Sequence, residues 1–87
     1  MYKLQIEQHA ERDLKRLKKR SPAVFSRLIP HILALGNNPL PKGVRKIVGS
    51  ESDWRISTGD YRVIYEIDDR QKVVYIFRVK HCREVYR

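Results

Sequence analysis

The chain has 87 residues, which is enough for one small domain and too few for two separate hydrophobic cores. Nineteen lysine and arginine residues against ten aspartate and glutamate residues give a formal net charge of +9. Because such a field attracts polyanions, nucleic acid is the first candidate partner, an acidic protein the second and an anionic membrane surface the third. No apolar run approaches a membrane span, and a single cysteine excludes a disulfide framework. We predict a cytoplasmic protein with no membrane partner.

The chain opens with a predicted strand and a predicted basic helix. Residues 2–6 alternate apolar and polar side chains, which is typical of a strand with one buried face. Over residues 9–20 the apolar side chains of Ala10, Leu14 and Leu17 recur at helical spacing, and basic residues occupy the other faces. This pattern predicts a helix that buries a narrow stripe and presents positive charge elsewhere.

A second helix is predicted directly after the first. Ser21 is suited to the N-cap and Pro22 to the first helical position. Pro30 removes a backbone donor inside the helix, which predicts a kink or a break there. Residues 36–39, Gly-Asn-Asn-Pro, end the helix. The two helices should therefore form a hairpin that packs on a sheet.

The second half of the chain predicts strands joined by turns. Residues 40–53 form a loop, and residues 54–65 form a hairpin around Gly59 and Asp60, because glycine adopts positive φ without steric cost. Residues 68–71 form the next turn and residues 72–80 the last long strand, with a short strand possible at the C-terminus. The order β-α-α-β-β-β predicts an α+β domain in which a two-helix hairpin packs on a mostly antiparallel four-stranded sheet. The first strand should lie at an edge.

Cationic and titratable side chains gather on these strands and at the C-terminal end. RNA cleavage without a metal requires that the 2′-hydroxyl lose its proton, that the charge on the phosphate be stabilised, and that the leaving 5′-oxygen gain a proton. Guanidinium groups serve the second task and a histidine the first or third, and a tyrosine can hydrogen-bond a phosphate or stack on a base. The residues that fit are Arg55, Arg62, Arg78, Lys80, His81, Arg83, Tyr86 and Arg87. Each of them, taken singly, could instead be an ordinary surface residue.

Metal and cofactor signatures are not found in the sequence. No Gly-rich phosphate loop, His-Glu pair on a helix or paired metal-ligand cysteines occur. His9, His31 and His81 are far apart in the sequence. We predict a protein with no metal and no small-molecule cofactor.

Taken together, these elements and residues resemble the RelE/ParE superfamily of toxins from type II toxin–antitoxin pairs. The likeness lies in the helix pattern of residues 10–17, the stop at Asn38 and Pro39, the run of residues 54–65 and the ending from residue 81 to 87. It covers nearly the whole chain as one RelE-like domain, residues 1–87. The resemblance implies a toxin that cleaves messenger RNA in the ribosomal A site and is held inactive by a cognate, RelB-like antitoxin with an amphipathic segment.

Three site residues follow from the resemblance by position. Arg62 matches a strand arginine directly after a tyrosine, and Tyr86 matches a terminal tyrosine. Arg55 stands where a basic strand residue is expected. The resemblance therefore implies that these residues line the catalytic site.

The C-terminal ending departs from the family pattern. In the family, this ending commonly has the sequence His-Arg-Arg-Glu-Val-Tyr, whereas this chain has Cys82 between His81 and Arg83. The arginine that would act on the leaving group falls at Cys82, so either His81 or Arg83 takes that role or the activity is reduced. We favour His81, because an unperturbed histidine has a pKa of about 6.5 and both gives and takes protons at neutral pH. The predicted catalytic residues are Arg62, Tyr86, His81, Arg55 and Arg83.

The remaining basic residues are expected to bind RNA backbone, which gives affinity without sequence recognition. They are Lys15, Arg16, Lys18, Lys19, Lys42, Arg45, Lys46, Arg78 and Lys80. An alternative is a ParE-like inhibitor of DNA gyrase, since one fold can carry both functions. Asp53, Ser57 and Cys82, where basic residues are expected, keep this alternative open, whereas His81 and the ending at residues 85–87 favour the ribonuclease. A third hypothesis is a basic module that only binds its antitoxin or RNA.

Overall fold

The computed structural model describes residues 1–50 and 52–85, which form two helices packed on a five-stranded sheet and a short terminal helix. The sheet order is β1-β5-β4-β3-β2, with β1 parallel to β5 and all other pairs antiparallel. The predicted α+β architecture and the position of the first strand at an edge are confirmed. The elements are β1 (Lys3–Ile6), α1 (Gln8–Arg20), α2 (Pro22–Ala34), β2 (Arg45–Lys46), β3 (Asp53–Thr58), β4 (Tyr61–Asp68), β5 (Val73–His81) and α3 (Cys82–Val85).

The core lies between the helical hairpin and one face of the sheet. Both helices contribute apolar side chains at helical spacing, and the three central strands contribute β-branched and aromatic side chains. The buried apolar residues are Ala10, Leu14, Leu17, Leu28, Ile32, Leu35, Val63, Tyr65, Val74, Ile76 and Val79. Within the described ranges, no helix combines the length and the apolar character that crossing a membrane requires.

The predicted count of four strands is wrong by one. Arg45 and Lys46, within the predicted loop, form β2 by pairing with Arg55 and Trp54 of β3. A two-residue strand carries too little pattern to be recognised, since the alternation that marks a strand needs at least four residues.

The sequence also allowed a short C-terminal strand, but the described residues that follow β5 form α3 instead. The Cys82 N–H donates to the carbonyl of Asp60 at 2.7 Å. This bond joins the residue that follows β5 to the turn between β3 and β4, and α3 begins at Cys82.

Pro30 does not break the second helix. α2 runs from Pro22 to Ala34 with Pro30 inside it. Pro30 and Ser26, whose carbonyl loses its helical donor, both lie on the exposed side of α2. Water can hydrate that carbonyl, so the missing hydrogen bond costs less than in a buried helix.

A bulge in β5 changes which residues face the helices. Ile64 and Tyr65 are successive residues of β4, but they pair with Arg78 and Ile76 of β5. Phe77 is therefore an extra residue in β5. An inserted residue shifts the alternation by one. Val79 therefore joins Ile76 on the buried face, and Arg78 lies opposite Ile64 of β4.

Tyr65 is the largest fully buried side chain, and we expect its hydroxyl to contribute measurably to stability. The hydroxyl donates to the carbonyl of Pro39 at 2.7 Å, and burial raises its pKa. Tyr65→Phe should lower the free energy of unfolding in urea by about 1–2 kcal/mol, because it leaves this carbonyl unsatisfied. Tyr75→Phe, at a half-buried tyrosine, should change it by less than about 0.5 kcal/mol. Equal effects of the two substitutions would contradict this role of the bond.

Candidate functional site

The β3–β4 hairpin positions the two arginines that the sequence singles out. Thr58 pairs with Tyr61, which leaves a two-residue turn of Gly59 and Asp60. Gly59 has φ of +60°, the value that a type II′ hairpin turn requires at its first central residue and that glycine adopts without strain. This turn was predicted, and it fixes the register of both strands.

The register brings four cations onto the sheet face opposite the helices. Arg62 lies between Ser57 of β3 and Lys80 of β5. Arg55 pairs with Arg45 of β2 and, being two residues before Ser57, faces the same way. We call Arg45, Arg55, Arg62 and Lys80 the basic face.

Like charges on this surface repel one another. Directly opposed side chains of neighbouring strands lie about 5 Å apart, so the Arg45–Arg55 and Arg62–Lys80 pairs are unfavourable on their own. Within the part of the chain that the structure describes, Arg45, Arg55 and Lys80 form no ion pair. A bound anion would relieve this repulsion.

Arg62 is the most buried residue of the basic face. Only 7% of its surface is exposed, and its Nε donates to Ser57 Oγ at 3.4 Å. A guanidinium group held in this way is already oriented before any ligand arrives, which is the condition under which fixed charge stabilises a transition state most effectively.

Arg78 is held by a buried carboxylate of α1. Its Nε and Nη2 donate to the two Asp13 oxygens at 2.9 and 3.2 Å, and the Val79 N–H donates to Asp13 Oδ2 at 2.9 Å. β1 ends before this point, so Asp13 takes the place of a neighbouring strand at the open edge of β5. Arg78 thus anchors α1 to the sheet, and its predicted contact with RNA would have to coexist with this pair.

His81 lies on the other side of the sheet from Arg62 and Lys80. It pairs with Tyr61, and the two rings pack edge to face with centroids 5.2 Å apart. Its Nδ1 accepts a hydrogen bond from the Arg83 N–H at 3.2 Å. In the neutral ring the proton is therefore on Nε2. The structure thus separates His81, at the end of β5, from Arg62 and Arg55, which lie on the opposite face of the sheet.

Comparison with known proteins identifies the family. A sequence model of the ParE toxin of type II toxin–antitoxin systems, parDE, matches residues 4–86. The chain belongs to this family. The toxin is also 32% identical over 90 residues to toxin RelG of Mycobacterium tuberculosis, a match that covers 99% of this chain and 97% of the relative. The predicted membership of the RelE/ParE superfamily is confirmed.

Solved structures of related toxins share the fold. The RelBE2 toxin–antitoxin complex of M. tuberculosis contains a chain that aligns with a TM-score of 0.77 and 27% identity, over 92% of this toxin and 96% of that chain. The archaeal RelE–RelB complex of Pyrococcus horikoshii contains one that aligns with a TM-score of 0.74 and 28% identity, over 92% and 93%.

The predicted RNA-binding residues of α1 are exposed on the toxin. Lys15 pairs with Glu11 at 3.3 Å across one helical turn, and the Lys18 ammonium lies 5.6 Å from the centre of the Phe25 ring. Exposed pairs of this kind exchange readily with other partners, since each contributes at most about 1 kcal/mol. Arg16 and Lys19 are exposed as well.

The basic residues of the β2 region point to two sides of the sheet. Lys46 lies 5.9 Å from the centre of the Trp54 ring on the helix side, whereas Arg45 belongs to the basic face. Lys42 is exposed in the preceding loop. Arg45 and Lys46 therefore lie on opposite sides of the sheet, so the three residues do not share one surface.

One predicted catalytic residue lies outside the described part of the chain, and one residue near the site was not predicted from the sequence. Tyr86, a predicted catalytic residue, is not among the described residues. Asp13 was missed, and an acidic residue inside the apolar stripe of α1 could have indicated a buried ion pair. Among the side chains that the structure describes, no group of three or more histidine, cysteine, aspartate or glutamate residues is arranged to hold a metal ion.

Proposed function

We propose that this toxin is an endoribonuclease that cleaves messenger RNA in the ribosomal A site and so inhibits translation in the cytoplasm. The observation that carries the proposal is the basic face, in which the buried guanidinium of Arg62 lies beside Lys80 and Arg55 on adjoining strands. This surface is shaped to hold a phosphate at fixed charges.

The reaction would need only groups of the chain and the RNA. The 2′-oxygen bonds to the adjacent phosphorus as its proton passes to a general base of the chain, the bond from phosphorus to the 5′-oxygen breaks, and that oxygen takes up a proton from a general acid. The products end in a 2′,3′-cyclic phosphate and a 5′-hydroxyl. Arg62 and Arg55 would stabilise the extra charge on the phosphate.

Proton transfer would fall to residues at the end of the sheet. His81 and Arg83, the two candidates for the leaving group, both border a pocket between α1 and β5. The scissile bond would therefore lie at the end of the sheet, where the RNA would pass from the basic face to this pocket, and Tyr86 is a further proposed catalytic residue. His81 remains our preferred proton donor.

A cognate antitoxin is the proposed partner of the toxin. The two structural relatives named above are toxin–antitoxin complexes, one of them with RelB. A RelB-like amphipathic segment with acidic residues would neutralise part of the +9 charge and cover the basic face.

The runner-up function is inhibition of DNA gyrase without nuclease activity. The matching family is that of ParE, and Asp53 and Ser57 lie beside the basic face where basic residues are expected in RelE-like members. The shared fold does not distinguish the two functions.

One experiment separates these functions. Purified toxin is added to ribosomes translating a defined message, and the message is analysed by primer extension and for cyclic-phosphate ends. A parallel reaction contains gyrase and relaxed DNA. We expect cuts within the A-site codon and unchanged supercoiling. Loss of supercoiling without RNA cleavage would establish gyrase inhibition. If the toxin neither cleaves RNA nor inhibits gyrase, the third hypothesis of a basic binding module holds.

A further inference from the structure

A pocket of about 360 Å³ opens between α1 and the ends of β4 and β5. It lies on the helix side of the sheet, away from the basic face. Leu17 and Val79 form its apolar part. Its volume is at the lower end of the range for small-molecule sites and is sufficient for a single nucleotide.

Three arginines from two elements surround this pocket. Arg16 and Arg20 are one helical turn apart on α1, so their side chains project from the same face. Arg83 approaches from α3. None of the three forms an ion pair within the described residues.

Asp13, the carboxylate that the described residues contribute to the pocket wall, does not cancel this charge. Asp13 borders the pocket, but its two oxygens already accept hydrogen bonds from Arg78 and from the Val79 N–H. The pocket therefore keeps an excess of guanidinium donors, and these bind phosphate in a bidentate manner.

An aromatic wall adjoins the arginines. Tyr61 and His81 border the pocket and pack edge to face at 79°. Aromatic rings of this kind are the surfaces on which proteins stack nucleobases. The Arg83 backbone fixes the imidazole through Nδ1, so the wall is formed before a ligand enters.

We propose that this pocket binds a nucleoside phosphate, with the phosphate between Arg16, Arg20 and Arg83 and the base on the Tyr61–His81 pair. The source is either a free nucleotide or a nucleotide of an RNA strand next to the cleaved bond. Only the second source rests on the proposed nuclease function. A carboxylate of an acidic peptide fits less well, because it brings one planar anion and no ring for the aromatic wall.

The test is direct binding of 5′-AMP to the purified toxin by calorimetry, with adenosine and inorganic phosphate as the two halves of the ligand. We expect each half to bind at least about tenfold more weakly than AMP. The Arg16→Gln/Arg20→Gln variant should weaken AMP binding about tenfold or more. Arg12→Gln/Arg27→Gln removes the same charge from α1 and α2 outside the pocket, and it should leave AMP binding within about twofold.

Recognition of the base has its own variant. Tyr61→Leu should weaken AMP about fivefold or more and leave inorganic phosphate unchanged. The proposal is overturned if both arginine pairs weaken AMP equally, or if a glutamate-rich peptide binds the pocket as tightly as AMP. Circular dichroism of each variant confirms that it is folded.

The source of the nucleotide is decided by competition. An RNA oligonucleotide methylated at its 2′-oxygens cannot be cleaved, and its displacement of AMP assigns the pocket to RNA. Binding of AMP without such displacement assigns it to a free nucleotide. Because neither measurement requires catalysis, the pocket is tested even if the toxin proves not to be a nuclease.

Discussion

Arg62→Gln is expected to reduce A-site cleavage of messenger RNA by about 10²–10³-fold, which is the usual effect of removing one fixed donor from a developing negative charge. Arg62 is 7% exposed and its Nε is held by Ser57, so its guanidinium does not need to be ordered when RNA binds. Glutamine keeps a polar side chain at this buried position and removes the charge. The loss should appear in the cleavage rate at saturating ribosome concentration.

Arg62→Lys separates charge from geometry. Lysine restores the positive charge but not the planar fork, so we expect a loss of about tenfold rather than recovery of full activity. Arg70→Gln, at an exposed turn, removes the same charge far from the basic face and should cleave at nearly the normal rate. If folded Arg62→Gln toxin cleaves as fast as Arg70→Gln toxin, the assignment of Arg62 is wrong.

Asp13→Ala should lower the free energy of unfolding by about 2–4 kcal/mol, the largest effect on stability that we expect from a single polar side chain. The Asp13 side chain is 6% exposed and serves three donors at once. Its removal leaves the Val79 N–H and the Arg78 guanidinium without this acceptor at the edge of β5. Because the Arg78 side chain is 36% exposed, water offsets part of the loss.

Two comparisons in urea denaturation test this role of Asp13. Asp13→Asn keeps an oxygen for the Val79 N–H and loses the charge, so its cost should be smaller, about 1–2 kcal/mol. Glu11→Ala breaks the exposed pair with Lys15 on the same helix and should cost at most about 0.5 kcal/mol. Equal destabilisation by Asp13→Ala and Glu11→Ala would show that the buried pair contributes no more to the free energy of unfolding than the exposed pair.

The predictions that succeeded rest on short-range information. Gly59 and Asp60 set the hairpin through their own backbone preferences, and Ala10, Leu14 and Leu17 mark the buried stripe of α1 by their spacing. The errors have non-local causes. β2 exists only because β3 offers a partner, and the helix at Pro30 continues because that side of α2 meets water.

The same division holds for the candidate site. The sequence placed Arg55, Arg62 and His81 on adjoining strands, and they lie on β3, β4 and β5. It did not reveal that His81 lies on the opposite face from the two arginines. That separation follows from the pairing of Tyr61 with His81 beside that of Arg62 with Lys80, since adjacent residues of a strand point to opposite sides.

The sequence by itself determined the family, the order of the main elements and the positive charge of this toxin. These properties depend on residue types and on spacings within a few residues. Only the tertiary structure decided which cations share a surface and which are already paired. The bulge at Phe77 sets which residues of β5 face the helices. The early end of β1 leaves the edge of β5 open, so Asp13 of α1 binds Arg78, 65 residues further along the chain.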